Sequence, residues 1–76
     1  MELNVFIQNV IDILEDTHPS LISPETSFRE LDEWDSLTAL SLIAMADDEY
    51  SVKLTGDDIR DAVTFNDIFE KIKIKA

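Results

Sequence analysis

Trp34-Asp35-Ser36-Leu37 stands where a polar, proline-containing stretch gives way to an apolar run, and it reads as the start of a helix. From Ser36 to Tyr50 the chain has no glycine or proline, and Leu37, Leu40, Ala44 and Tyr50, with Ile43 beside them, mark one apolar face. These features predict a helix over 36–50. Asp35 is a residue type that caps such a start, and Ser36 falls in the first turn. Backbone N–H groups there have no partner within the helix and carry the positive end of its dipole, so an anion attached to Ser36 would be stabilised. A serine that only caps N–H groups is the commoner occupant of such a place, and the tetrapeptide alone does not choose between the two readings.

Upstream, residues 3–16 place Leu3, Phe6, Val10, Ile13 and Leu14 on one stripe, with Asn4, Gln8, Asp12 and Glu15 largely opposite. This predicts a first amphipathic helix that stops near Thr17-His18-Pro19, because the residue before a proline is pushed out of the helical region. The stretch from His18 to Trp34 then reads as a long connection, with Leu21, Ile22, Phe28 and Leu31 as apolar anchors. Downstream, Val52 and Leu54 predict a short extended link, Thr55-Gly56 a turn, and Asp57 to Ala62 a brief third helix carrying Ile59. Thr64 with Asp67 three residues on forms a capping-box pattern ahead of Phe65, Ile68, Phe69 and Ile72, which predicts a last helix ending near Lys73. The fold class is therefore all-α: a small four-helix bundle with three longer helices and a short third one, and no sheet.

The composition sets bounds on function. With 76 residues, 45% of them apolar, the chain is expected to form a single domain over 1–76 with a small core. It has no cysteine, so disulfides, thiolate metal sites and cysteine nucleophiles are excluded, and any reactive thiol must come from a cofactor. The single histidine, His18, beside Pro19, is expected at a helix end; with no second histidine and no base near Ser36, neither a catalytic triad nor a zinc site can be assembled. Asp47-Asp48 and Asp57-Asp58 lack the ligand spacing of a calcium loop, so no metal site is expected. A formal charge of −11 disfavours nucleic acid and anionic membranes and favours basic partners. Arg29, Lys53 and Arg60 stand isolated among carboxylates, while Lys71, Lys73 and Lys75 gather where they suit the negative end of a last helix. Met1-Glu2-Leu3-Asn4 lacks the basic start of a secretory signal and no apolar run is long enough to span a membrane, so a cytoplasmic location is expected.

The run Ser27-Phe28-Arg29-Glu30-Leu31-Asp32-Glu33-Trp34-Asp35-Ser36-Leu37, followed by a helix through Asp47-Asp48-Glu49-Tyr50, resembles an acyl carrier protein. The resemblance extends over nearly the whole chain. Val52-Lys53-Leu54, Asp57-Asp58-Ile59 and Thr64-Phe65-Asn66-Asp67-Ile68 fall where carriers of this family have their link, short third helix and final helix. The resemblance implies that Ser36 is the attachment point for 4'-phosphopantetheine, installed covalently from coenzyme A by a phosphopantetheinyl transferase. The arm would end in the thiol this sequence lacks and hold acyl groups as thioesters. It would present them at high effective concentration to acyl-loading and acyl-using enzymes. On this reading the chain is a monomeric carrier and not an enzyme.

The resemblance also distributes roles around Ser36. Asp35 would help the transferase hold the metal and diphosphate of coenzyme A, beside its reading as a helix cap; Leu37 is either a contact beside the arm or a core residue. Asp47 and Asp48, with Glu49, oppose the helix dipole, which partner docking explains and a solvated acidic face explains nearly as well. Trp34, Thr38, Ser41, Met45 and Ile59 complete the expected docking set, although packing is the stronger reading for Trp34. Ala44, Met45 and Ala46, with Ile43, Ile59 and Phe65, would either border a pocket for a short acyl chain or simply pack in the core, the latter being the stronger reading.

Two departures from the family pattern matter. Thr38 and Ser41 stand where carriers of ordinary fatty-acid synthesis usually have carboxylates, and Glu33-Trp34 replaces a small Gly-Ala-like pair. Both point to a dedicated carrier in a specialised fatty-acid or polyketide-type pathway. The alternatives are an aminoacyl or peptidyl carrier, and an unmodified acidic helical adaptor.

Overall fold

The computed structural model describes residues 2–76; Met1, the first residue of the amino-terminal tetrapeptide read above, lies outside the described residues. Four helices follow one another: α1 (Leu3–Ile13), α2 (Ser36–Tyr50), α3 (Gly56–Asp61) and α4 (Phe65–Lys75). Single 3₁₀ turns at Pro19–Leu21 and Phe28–Glu30 punctuate the long first connection. Among the described residues the only extended pairing is one bridge between Ser27 and Thr64, so the chain is an all-α bundle. α1 packs against α2 and α4, and α3 against α4.

The core is built from apolar positions at helical spacing: Phe6, Val10 and Leu14 from the first segment, and Phe65, Ile68, Phe69 and Ile72 from α4. Ile22 and Phe28 add anchors from the connection, as the sequence predicts, and Leu31 packs at the edge. Leu21 does not anchor; it is exposed. Val52, Leu54, Ile59 and Ala62 close the floor.

The end of α1 and the inward face of α2 differ from the periodicity. α1 ends at Ile13 and not near residue 16, because the next donors find partners outside the helix. Glu15 N–H reaches back only to Ile13 O (3.1 Å), while Asp16 N–H and the Thr17 hydroxyl donate to the Glu33 carboxylate at 3.1 and 2.6 Å. His18 is consequently not a helix-end residue; its Nδ1 accepts from Ser20 N–H (3.1 Å) and caps the Pro19–Leu21 turn. The apolar face expected for α2 is also turned the wrong way. Leu42 and Ala46 are buried, with Ala39, Ile43, Met45 and Tyr50 packed beside them, whereas Leu37 and Leu40 are 73% and 60% exposed and Ala44 is exposed. The helix carries apolar side chains nearly all round, so periodicity alone does not fix which face turns inward.

The ends of the later helices are tied by charge. Thr55 and Asp58 form a capping box on α3, and Thr64 and Asp67 form one on α4. Lys75 Nζ, from the last turn of α4, pairs with Asp58 at 2.5 Å and donates to Lys53 O at 3.1 Å. At the other end of α3, the Arg29 guanidinium donates to Ala62 O (2.5 Å), Ile59 O (2.6 Å) and Arg60 O (2.9 Å). A planar fork satisfies several orphan carbonyls at once in a way that an ammonium group cannot. A six-residue helix is not stable by itself, so α3 depends on these ties and on buried Ile59.

Lys75 and the Thr55 N–H hold the Asp58 carboxyl below the ordinary carboxylate range, and the Thr64 and Val63 N–H groups do the same for Asp67. Unfolded aspartates titrate near about 3.9. The stability these groups add is therefore complete above that pH and is lost as pH falls through the lower folded values. Urea midpoints measured between pH 7 and pH 2 are predicted to drop below about pH 4. The double variant Asp58→Asn/Asp67→Asn is predicted to start lower at neutral pH and to show a shallower drop.

Candidate functional site

The first turn of α2 is built from its cap. Asp35 has extended backbone geometry, and its Oδ1 accepts the Thr38 N–H at 2.8 Å, the position a capping side chain takes. The Thr38 hydroxyl lies 3.0 Å from the same carboxylate oxygen and 3.2 Å from Glu33 O, so it closes the turn from inside. The Thr38 N–H first, and then its hydroxyl, hold the Asp35 carboxyl below its ordinary range. Asp35 therefore remains an anion well into acid, at the positive end of a 15-residue helix.

Ser36 is the first residue of α2, and the cap has been taken by its neighbour. Its side chain is exposed, and neither its hydroxyl nor its N–H is hydrogen-bonded to any described residue. The capping reading of this serine is thus filled by Asp35, and the hydroxyl is left facing solvent beside its own unbonded N–H.

The approach to this turn is held by rings. Trp34 sits with its centroid 4.6 Å from Phe28 and 6.2 Å from Phe65, and Phe28 and Phe65 lie 5.5 Å apart. Phe28 N–H bonds Val63 O and Phe65 N–H bonds Thr26 O, each at 3.3 Å, so the connection is stitched to the start of α4 where these rings meet. Trp34 is only partly exposed in this position, which favours the packing reading made from sequence.

The other residues singled out from sequence separate by exposure. Leu37, Leu40, Ala44 and Asp48 follow one another at spacings of three and four along α2 and are all exposed, with Ser41 beside them. Met45 packs against the core, Asp47 pairs with Lys53 at 2.8 Å, and Thr38 is turned into the cap. Ile59 is only 7% exposed, so it contributes core packing and almost no docking surface. Ala46 and Phe65 are fully buried, in line with the core-packing reading of these residues. Two open grooves of about 400 and 450 Å³ lie elsewhere, one between Thr17 and Asp32 and one between Leu3 and Pro24. Ser36 lines neither.

Sequence reading missed the Arg29 fork and the inward role of Thr38. Arg29 meets carbonyls thirty or more positions away in the chain, a pairing that no local pattern announces. Among the described residues no cluster of histidines or carboxylates is arranged to hold a metal ion, and no helix is long and apolar enough to cross a membrane.

Ser36→Ala is predicted to leave the urea midpoint at pH 7 within the small range of a surface substitution, about 0.5 kcal/mol, because no hydrogen bond is lost. Asp35→Ala is predicted to lower it, because the Thr38 N–H loses its acceptor.

Residues 4–72 match the family model described as "Phosphopantetheine attachment site". Comparison with curated proteins and with solved structures gives no significant match.

Proposed function

Because the chain belongs to the phosphopantetheine attachment site family, and so is a carrier domain for covalent 4'-phosphopantetheine, we propose that Ser36 is the residue that bears the arm. The observation that carries this assignment is the division of labour at the start of α2: Asp35 caps, and Ser36 is exposed with a free hydroxyl. The chain has six serines. Ser20 and Ser23 are engaged with His18 and Thr26, Ser27 sits in the bridge to Thr64, and Ser51 adopts the left-handed cap that ends α2. Ser41 is exposed but lies mid-helix, where the backbone N–H groups are used. Ser36 alone combines an exposed, unbonded hydroxyl with the N-terminus of an α-helix, which suits a phosphodiester.

When bound, the arm supplies the thiol on which acyl groups are carried. The chain's own residues do something simpler. Ser36 offers the oxygen that bonds phosphorus, and Asp35 keeps the first turn wound while presenting an anion where the transferase's metal would stand. Leu37, Leu40 and Ala44 present an apolar stripe beside it, and Asp48 ends that stripe with charge. An exposed apolar stripe next to the reactive residue fits a surface that partners cover, with basic groups meeting the acidic end. Acyl-loading and acyl-using enzymes are the partners of this chemistry, and the chain itself is not catalytic.

The pathway reading follows from Thr38. Its hydroxyl is committed to the cap and to Glu33 O, and Ser41 is neutral, so the front of α2 lacks the carboxylates of general fatty-acid carriers. This supports a dedicated carrier in a specialised fatty-acid or polyketide-type system.

Incubation with coenzyme A, magnesium and a broad-specificity phosphopantetheinyl transferase is predicted to add one phosphopantetheine to the native chain and none to Ser36→Ala, read by intact-protein mass. A folded native chain that gains nothing would leave an unmodified acidic adaptor as the remaining reading.

A further inference from the structure

Glu33 ties the exit of α1 to the entry of α2. Its carboxylate accepts from the Thr17 hydroxyl at 2.6 Å and from Asp16 N–H at 3.1 Å, and its own carbonyl oxygen lies 3.2 Å from the Thr38 hydroxyl. One residue therefore receives bonds from the chain leaving the first helix and from the first turn of the second. Asp35 fixes that turn locally through Thr38, and Trp34, between the two, is held by the Phe28 and Phe65 rings. The partly buried Thr17–Glu33 bond is the only hydrogen bond between side chains, among the described residues, that links the α1 exit to this segment. Hydrogen bonds to a charged acceptor are among the stronger ones, and this one spans 16 positions of sequence.

We propose that Glu33, acting through Thr17, is a positioning residue for modification of Ser36: the strut holds residues 33–38 in the arrangement that a transferase must dock. This rests on the assignment of Ser36 as the attachment residue. Glu33 does not touch the reacting hydroxyl; it sets the fraction of molecules whose first α2 turn is presented ready-made. If that fraction falls, the apparent affinity of the transferase for the chain falls with it, while turnover of the bound complex does not change. The signature is a rise in KM at constant kcat.

The test compares native chain, Glu33→Ala, Glu33→Gln, Thr17→Val and the double variant Glu33→Ala/Thr17→Val, at a temperature where circular dichroism shows each folded. Two readouts are taken: steady-state modification by the transferase, and amide hydrogen exchange at Thr38 and Ala39, whose N–H groups bond Asp35 in the native turn. Glu33→Ala and Thr17→Val are expected to speed exchange and to raise KM by about three- to tenfold, the net worth of an ordinary hydrogen bond, because this one is only partly buried. The double variant should be no worse than Glu33→Ala, since Thr17→Val removes a contact which that variant has already lost. Glu33→Gln, which keeps an acceptor oxygen, should recover much of the effect.

A folded Glu33→Ala with native exchange and native KM would overturn the proposal, as would additive losses in the double variant or a lower melting temperature with KM unmoved. If Glu33→Ala does not fold, Thr17→Val, nearly the same in shape, carries the comparison. If the native chain takes no arm at all, the carrier assignment fails on that observation, while exchange at Thr38 and Ala39 still decides whether the strut holds the turn.

Discussion

Three rings hold the start of α2 in place. Phe28, Trp34 and Phe65 come from the 3₁₀ turn, the approach to α2 and the first residue of α4, and their centroids lie 4.6 to 6.2 Å apart. A connection as long as the one between α1 and α2 has to be anchored, or it would deliver the next helix in no defined place. The backbone bonds that join Phe28 to Val63 and Phe65 to Thr26 fix the rings, the rings fix Trp34, and Trp34 fixes where Asp35 begins the helix. Offset and edge contacts between aromatic side chains add to the area they bury, which makes such a cluster effective in a small core.

Most of this was legible from local chemistry. The capping box at Thr64 and the apolar spacing of α4 are short-range signals in the sequence, the box at Thr55 reads there only as a turn, and α2 runs from Ser36 to Tyr50 as predicted. The failures have one physical origin. The α1 terminus is set by the Glu33 carboxylate, α3 is finished by Arg29, and the face of α2 is chosen by where Leu42 and Ala46 meet the other helices. Each depends on a partner far away in sequence. The inverted face of α2 is instructive: Leu37, Leu40 and Ala44 have the spacing of a buried stripe yet face solvent, beside Ser36. The same spacing suits either a buried or a solvent-facing stripe, because periodicity does not say which side of the helix the bundle covers. At Ser36 the position in the first turn was legible, but the free hydroxyl was not, because Asp35 and Ser36 are both residue types that cap.

Charge is allotted along similar lines. Against a net charge of −11, two of the six cations are used to close the bundle, Arg29 on the carbonyls of α3 and Lys75 on the carboxylate that caps it. Asp48 and Glu49 stay exposed at the end of α2, where the helix dipole opposes them. Exposed acidic charge of this kind raises the encounter rate with any basic surface even where the folded state gains no stability.

On the proposed assignment, the capped start of α2 with its free serine, placed by the ring cluster, is the seat of the phosphopantetheine arm. The most direct measurement is fragment-ion mapping of the modified chain, to find which serine carries the arm. Phosphopantetheine on Ser36, with Ser41 and the other four serines bare, is the predicted result. An arm on any other serine would contradict the assignment of α2's first turn as the seat of attachment.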